Sequence, residues 1–266
     1  MSLNTRPSRD IYMSERGTGP AVLFLHGAPD SADLWSGVID RLEDRYQCFA
    51  PDLPGFGRTA TPADFVASLD YLADFVDKLV ETYAIPTPLN LVVMDFGATY
   101  GLSWAVKYPE KVRNIVIAGG AIYSSKYRLY TTARLLSIPL LGELIMSRMT
   151  LPAFEKLMRK DGPNLSPDYV RQNYATSFGK PAARRMMLRM YRGLHPQDLV
   201  GWEERLAALT TKVPTHVLWG DKDPFIATTF ADTFGQAQVE HFPEYGHWLP
   251  VEAPEVVAQR IGTFLA

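Results

Sequence analysis

Val92-Val93-Met94-Asp95-Phe96-Gly97-Ala98 closes an apolar run that begins at Leu89, and it sets a carboxylate at the point where the run ends. A run this short, rich in β-branched residues, reads as a strand buried on both faces of a parallel sheet. Gly97 and Ala98 then supply the small residues that let a strand turn abruptly into a helix packed close to it. Similar runs stand on either side: Ala21 to Leu25, Gln47 to Ala50, Asn114 to Ala118 and Thr215 to Trp219. Between two of them Leu69, Leu72, Val76, Leu79, Val80 and Tyr83 keep the three-and-four spacing of an amphipathic helix. Strands alternating with helices predict an α/β fold with a mostly parallel, doubly wound sheet. Asp10 to Ser14, followed by the Gly17-Thr18-Gly19-Pro20 turn, reads as an antiparallel hairpin leading into it.

The alternation stops after Ala118 and resumes at Thr215, and the intervening helical patterns are broken by Pro139, Pro152, Pro163, Pro167 and Pro181. The expected organisation is a core domain of residues 1–120 and 210–266, closed by a helix from Pro254 to Leu265, with residues 121–209 inserted as a helical cap. The insert carries six of the nine methionines, at positions 146, 149, 158, 186, 187 and 190, read either as ordinary helix core or as an adaptable apolar wall over a pocket. It is also basic, with 13 Lys/Arg against 4 Asp/Glu between Ala121 and His195.

With 266 residues and 47% hydrophobic content, the chain can bury one substantial core. A formal net charge of −2 gives no reason to expect nucleic acid or a membrane surface as partner. Cys48 is the only cysteine, which rules out an intrachain disulfide framework. Met1 to Asp10 lacks the apolar core of a signal peptide and no run of transmembrane length occurs, so a cytoplasmic location is expected.

Four loops hold the chemistry-bearing residues: His26-Gly27-Ala28-Pro29, the turn at Asp95, Trp219-Gly220-Asp221-Lys222-Asp223-Pro224, and Tyr245-Gly246-His247-Trp248. Several leave predicted strands at their carboxyl ends, the edge where open α/β sheets bind ligands. The order nucleophile, acid, histidine is that of a hydrolase triad, with Asp95 where a serine is more usual. His247 is the expected base, and either Asp221 or Asp223 stands near enough in sequence to be the orienting acid. His26, His195, His216 and His241 are each expected to be structural, with bracing of its own loop the alternative role for His26.

These residues resemble the haloalkane dehalogenase and epoxide hydrolase branch of the α/β-hydrolase fold. His26-Gly27-Ala28-Pro29 resembles its HGxP loop, Asp52-Leu53-Pro54-Gly55-Phe56-Gly57 its DLxGxG segment, and Leu91 to Asp95 its dehalogenase elbows, some of which also carry valine where Val93 replaces glycine. The resemblance spans the chain apart from the insert and favours Asp223 over Asp221, because the family's acid stands just before this proline. It implies a hydrolase that needs no cofactor or metal and takes a small-molecule substrate and water. Asp95 attacks an alkyl carbon to form an ester, and His247, oriented by Asp223, activates the water that hydrolyses it. The backbone amides of Ala28 and Phe96 are the expected oxyanion hole, and His26, Pro29, Trp248, Tyr123, Tyr127 and Tyr191 the expected pocket residues.

The leaving group divides the reading. Dehalogenases supply a tryptophan after the nucleophile and a second tryptophan or an asparagine, and here Phe96 and Ala28 stand at the loop positions. Epoxide hydrolases supply cap tyrosines, of which the insert has Tyr123, Tyr127, Tyr130, Tyr169, Tyr174 and Tyr191. Carbon–halogen cleavage is expected first, on the strength of the strand and elbow segments, and epoxide hydrolysis second. Arg184, Arg185, Arg189 and Arg192 read either as a solvated helix face or as recognition of an anionic substrate. A ligand-binding protein without turnover is the rival of another class, since one fold hosts many uses. A serine esterase fits poorly, because Ser103 lies beyond the turn, inside the next helix.

Overall fold

The computed structural model describes residues 11–121 and 123–266. Its strands are β1 (Met13–Arg16), β2 (Ala21–Leu25), β3 (Gln47–Pro51), β4 (Leu89–Val93), β5 (Val112–Ala118), β6 (Thr215–Gly220) and β7 (Gln238–Phe242). They form one seven-stranded sheet in the order β1-β3-β2-β4-β5-β6-β7, parallel except for β1. β2 and β4 are wholly buried, as continuous apolar runs in a sheet covered on both faces should be. The one polar residue of β4, Asn90, is satisfied by donating to the Ala21 carbonyl and accepting from Asn114.

Between β2 and β3 lies the short helix α1 (Ser36–Ile39), and between β3 and β4 lies α2 (Leu69–Thr82). Ser68 caps α2 by accepting from the Tyr71 amide, and Leu72, Val76, Leu79 and Val80 of the expected stripe are buried. α3 (Asp95–Lys107) leaves β4 directly. A Cβ on Gly97 would lie 2.2 Å from the Leu25 carbonyl oxygen, and one on Gly101 would lie 2.6 Å from Val93 Cγ1, so these two glycines set how closely α3 approaches the sheet.

Two strands depart from the sequence reading. The expected N-terminal hairpin does not form: β1 is antiparallel but pairs with β3, Met13 opposite Pro51 and Arg16 opposite Cys48. Both edges of β2 are already taken by β3 and β4, which leaves β1 the outer flank of β3. Asp10, at the start of that expected hairpin, lies outside the described residues. β7 has no counterpart in the sequence reading, because Gln238–Phe242 is an edge strand with no buried residue and so lacks the apolar run that marks the others.

Between β5 and β6 the chain is helical: α4 (Thr131–Ser137), α5 (Leu141–Ser147), α6 (Leu151–Asp161), α7 (Pro167–Asn173) continuing into a π-turn at Tyr174–Phe178, α8 (Pro181–Gly193) and α9 (Trp202–Thr210). Met146, Phe154, Met158, Phe178, Met186 and Met190 are buried within this layer. Arg184 donates to the carbonyls of Met146, Met149 and Phe178, and Arg192 to those of Leu136, Ser137 and Ile138 and to Glu143. These two cations therefore tie α8 to its neighbours, while Arg185 and Arg189 face solvent. α10 (Leu249–Glu252) and α11 (Pro254–Phe264) complete the chain. Among the described residues no helix is long and apolar enough to cross a membrane.

Candidate active site

The sheet order reverses between β2 and β4, and the loops leaving their carboxyl ends meet there. Asp95 takes the left-handed conformation at φ +48°, which is unfavourable for a residue with a Cβ and is held by the strand and helix on either side. Its own amide donates to the Gly120 carbonyl at 2.6 Å. Gly27 must lack a side chain, since a Cβ would sit 2.4 Å from Asp95 Cβ.

The two carboxylate oxygens of Asp95 have different surroundings. Oδ1 accepts from the Ala28 amide at 2.8 Å, and the Phe96 amide also donates to this carboxylate. Oδ2 lies 3.7 Å from His247 Nε2. The other ring nitrogen, Nδ1, donates to Asp223 Oδ2 at 2.6 Å. Asp223 is itself fixed by accepting from the amides of Phe225 and Ile226 at 2.8 and 3.0 Å through Oδ1. Asp221, the alternative acid, pairs instead with His241 at the surface. Gly120 makes room for the pair, because a Cβ there would lie 2.4 Å from Asp223 Oδ2.

Burial pushes the Asp95 carboxyl up, opposed by His247 and by the amides of Phe96 and Ala28. Burial works against a charged imidazole too, yet Asp223, then Asp95 and Asp30, outweigh it and raise His247 to about 9. The balance favours a protonated His247. Removing the Asp95 contribution would lower its pKa again.

Asp95, Phe96 and His247 open onto a cavity of about 180 Å³ whose other walls are Ala28, Pro29, Trp248, Phe225 and the helical layer, including Met146, Met149, Met158, Met187 and Met190. Tyr127, Tyr130 and Tyr191 line it. The Tyr130 and Tyr191 hydroxyls are 2.8 Å apart, and the Tyr191 ring packs edge-on to Phe96 with centroids 5.4 Å apart. Burial raises Tyr130 to about 12 and raises Tyr191 further, so both hydroxyls keep their protons at neutral pH.

Two expected pocket residues are not in the lining. The His26 ring is fully buried beneath the loop: Nε2 accepts from the Leu53 amide at 2.9 Å and Nδ1 donates to the Gly27 carbonyl at 2.7 Å, so it ties the β2 and β3 loops together. Burial lowers its pKa, consistent with a neutral ring. Tyr123 is buried behind α3, where its hydroxyl donates to the Ala98 and Thr99 carbonyls. Tyr130 takes the place that the sequence reading gave to Tyr123. Asp52, of the Asp52-Leu53-Pro54-Gly55-Phe56-Gly57 segment, is structural: it accepts from the Ala32 amide and pairs with Arg58.

Residues 20–254 match the family described as the alpha/beta hydrolase fold. The chain belongs to that family. It is 26% identical to haloalkane dehalogenase 2 of Mycobacterium tuberculosis over 264 residues, 94% of this chain and 90% of the relative. It is equally 26% identical to the cis-3-alkyl-4-alkyloxetan-2-one decarboxylase of Shewanella oneidensis, over 98% of this chain and 86% of the relative. Among solved structures, Cfl2 of Burkholderia cenocepacia shares the fold with a TM-score of 0.82 at 20% identity, over 96% of this chain and 92% of that one. The protein is thus a hydrolase-fold enzyme, and the relatives it resembles include proteins named haloalkane dehalogenase.

The sequence reading missed Asp30, a buried carboxylate directly after the His26-Gly27-Ala28-Pro29 loop, and did not single out Tyr130 or Asp161 as pocket residues. The position of Asp30 beside that loop was the available signal. Nothing in the spacing of the insert distinguishes Tyr130 from Tyr174, whose hydroxyl instead donates to the Met149 carbonyl.

Proposed function

We propose that this hydrolase opens a strained oxygen heterocycle, an epoxide in the first instance, through an ester on Asp95. The observation that carries this reading is the hydrogen-bonded hydroxyl pair of Tyr130 and Tyr191 in the same cavity as Asp95. A ring oxygen that leaves as an alkoxide needs a proton, and two un-ionised phenols supply one. A departing halide needs N–H donors, and the indole N–H of Trp248, the only tryptophan in the lining, is already donated to Asp30.

Asp95 Oδ2, the oxygen left free by the Ala28 amide, attacks a ring carbon. The carbon–oxygen bond breaks, and the leaving oxygen takes a proton from the tyrosine pair. His247, protonated at rest, returns that proton to the phenolate through solvent and becomes the neutral base. It then takes a proton from a water that adds to Asp95 Cγ. Negative charge gathers on Oδ1, which accepts from the Ala28 amide, while the Phe96 amide donates to the same carboxyl group; such donors are worth ~3 kcal/mol each. Collapse expels the diol alkoxide, which takes its proton from His247. The carboxyl proton of Asp95 passes back to His247, so epoxide plus water becomes a diol.

The substrate is uncharged on this reading. Among the described residues the lining carries Asp95, Asp161, His195 and His247 but no arginine or lysine, so the basic insert offers nothing to a haloacid carboxylate. The Shewanella relative is named for decarboxylation of a four-membered oxygen ring, which adds a strained oxygen heterocycle, though not the same reaction, to the substrates named among similar proteins. Halide displacement through the same ester is the second reading, favoured by the relatives named haloalkane dehalogenase.

His247→Gln tests both. With the base gone the ester should persist, and intact mass followed by peptide mapping should find it on Asp95. A gain equal to the whole epoxide supports ring opening, and a gain equal to the alkyl group of a halide supports the second reading. No adduct from either class, with wild-type protein also inert, would overturn the ester mechanism.

A further inference from the structure

Asp30 takes no part in the steps above, yet it is 1% exposed and bonded to three separate parts of the chain. It ends the turn after β2, its amide donating to the Gly27 carbonyl at 3.1 Å. Its Oδ2 accepts from Trp248 Nε1 at 3.1 Å. Its Oδ1 accepts from Asn173 Nδ2 at 2.5 Å and from the Tyr169 hydroxyl, both on α7. Its backbone carbonyl accepts from Ser177 Oγ at 3.0 Å, and the same hydroxyl accepts from the Gly57 amide at 3.2 Å. Asp30 lines a second cavity bounded by Tyr169, Asn173 and Pro250, and the main cavity is walled by Pro29 and Trp248 instead.

We propose that Asp30 is a positioning residue for the hydrolytic half of the reaction: its carboxylate joins the Trp248 indole to α7 and thereby holds His247 in register with the Asp95 ester. The contact that transmits this is the Trp248 ring, packed edge-on against His247 with centroids 5.1 Å apart. Only a carboxylate accepts all three side-chain donors. An amide at this position would turn an N–H towards one of them and leave the cluster incompletely bonded, a costly condition for buried polar groups. Attack by Asp95 requires the turn at β4 and the tyrosine pair, neither of which touches the Asp30 carboxylate. Hydrolysis requires His247 Nε2 to direct a water at Cγ, which is the geometry that Trp248 supports.

The inference rests on the ester mechanism, and the partition between its two steps is what separates a positioning role from a merely structural one. The measurement is single-turnover quench with intact-mass detection, using a terminal alkyl epoxide with wild type, Asp30→Asn, Trp248→Phe and His247→Gln. In Asp30→Asn the rate of ester formation should stay within a factor of about two while ester decay slows on the order of 10-fold to 100-fold, the scale on which catalytic geometry is lost. At steady state kcat and KM should fall together, leaving kcat/KM nearly unchanged, and the ester should accumulate. Trp248→Phe keeps a ring against His247 but removes the indole donor, so it should slow decay in the same direction by less. If Asp30→Asn does not fold, Trp248→Phe decides alone. Equal slowing of formation and decay, or no slowing of decay in either folded variant, overturns the role of Asp30. Absence of an adduct in His247→Gln overturns instead the ester mechanism on which the inference stands.

Discussion

The edge of the sheet and the helical layer above it divide the work of this site, and they were unequally visible in the sequence. The sheet edge supplies Asp95, His247, Asp223 and the Ala28 and Phe96 amides from loops whose places are set by parallel strands. The helical layer supplies Tyr127, Tyr130, Tyr191 and the methionine wall, from helices whose mutual packing depends on Arg184, Arg192 and buried apolar contacts. Strand order confines a loop residue to one end of the sheet, whereas helical spacing leaves the packing angle open. On the proposed mechanism one region carries the bond-making chemistry and the other chooses what leaves.

The largest expected effect lies at the sheet edge. Asp95→Ala should lower turnover by roughly 10⁴-fold or more, the scale of losing a covalent nucleophile, and should abolish every adduct detectable by mass. Residual turnover of activated esters at the wild-type rate would break the division by showing that another group is the nucleophile.

A smaller and selective loss is expected from the helical layer. Tyr130→Phe and Tyr191→Phe together should slow epoxide opening by about 10²-fold or more, as removal of acid assistance does, while alkyl iodides, whose leaving group needs no proton, should be displaced as before where they react. Rapid-quench measurement of ester formation with both substrate classes checks it. Equal loss on both classes would reassign the pair to packing.

The pH dependence joins the two regions. His247 must be neutral to activate water, so ester decay should rise with pH through the His247 pKa. In the resting enzyme that value is about 9, upheld chiefly by Asp223 against burial. Esterification removes the Asp95 charge, so the rising limb for ester decay should lie below the value found by titrating the free enzyme. NMR titration of His247 beside a pH–kcat profile, taken where decay limits turnover, makes the comparison. A limb at or above the free-enzyme value would contradict the electrostatic link.

How much was legible follows from the same contrast. β2 to β6 and α2 could be placed because burial forces continuous apolar runs or a helical stripe. β7 and the β1 pairing escaped because an edge strand carries no such constraint and pairing partners are set by topology. Asp221 and Asp223 were separated in sequence only by resemblance, and in space by the turn that puts one on His241 and the other on His247. Asp30 was marked only by its place after the His26–Pro29 loop, because its three side-chain donors arrive from residues 139 to 218 positions away.

A stability test probes how closely strand and helix approach at the sheet edge. Gly97→Ala places a methyl group 2.2 Å from the Leu25 carbonyl, where backbone must move. The expected cost is about 1–3 kcal/mol, the range for overpacking, read by urea unfolding.

The smallest effect should come from the feature that looked most like recognition in the sequence. Arg185 and Arg189 are exposed, bond to nothing in the cavity and lie outside its lining. Replacing both by glutamine should change stability by no more than about 0.5 kcal/mol, as for surface sites generally, and should leave KM for neutral epoxides unchanged. Their long-range field on an exposed entering carboxylate is screened within about 8 Å at physiological salt, so any effect on an anionic substrate should vanish as salt is raised. A haloacid KM that rises in the double variant and stays raised at high salt would mean that these arginines reach the substrate directly. The helical layer would then select by charge as well as by proton donation, and the neutral-substrate reading would fail.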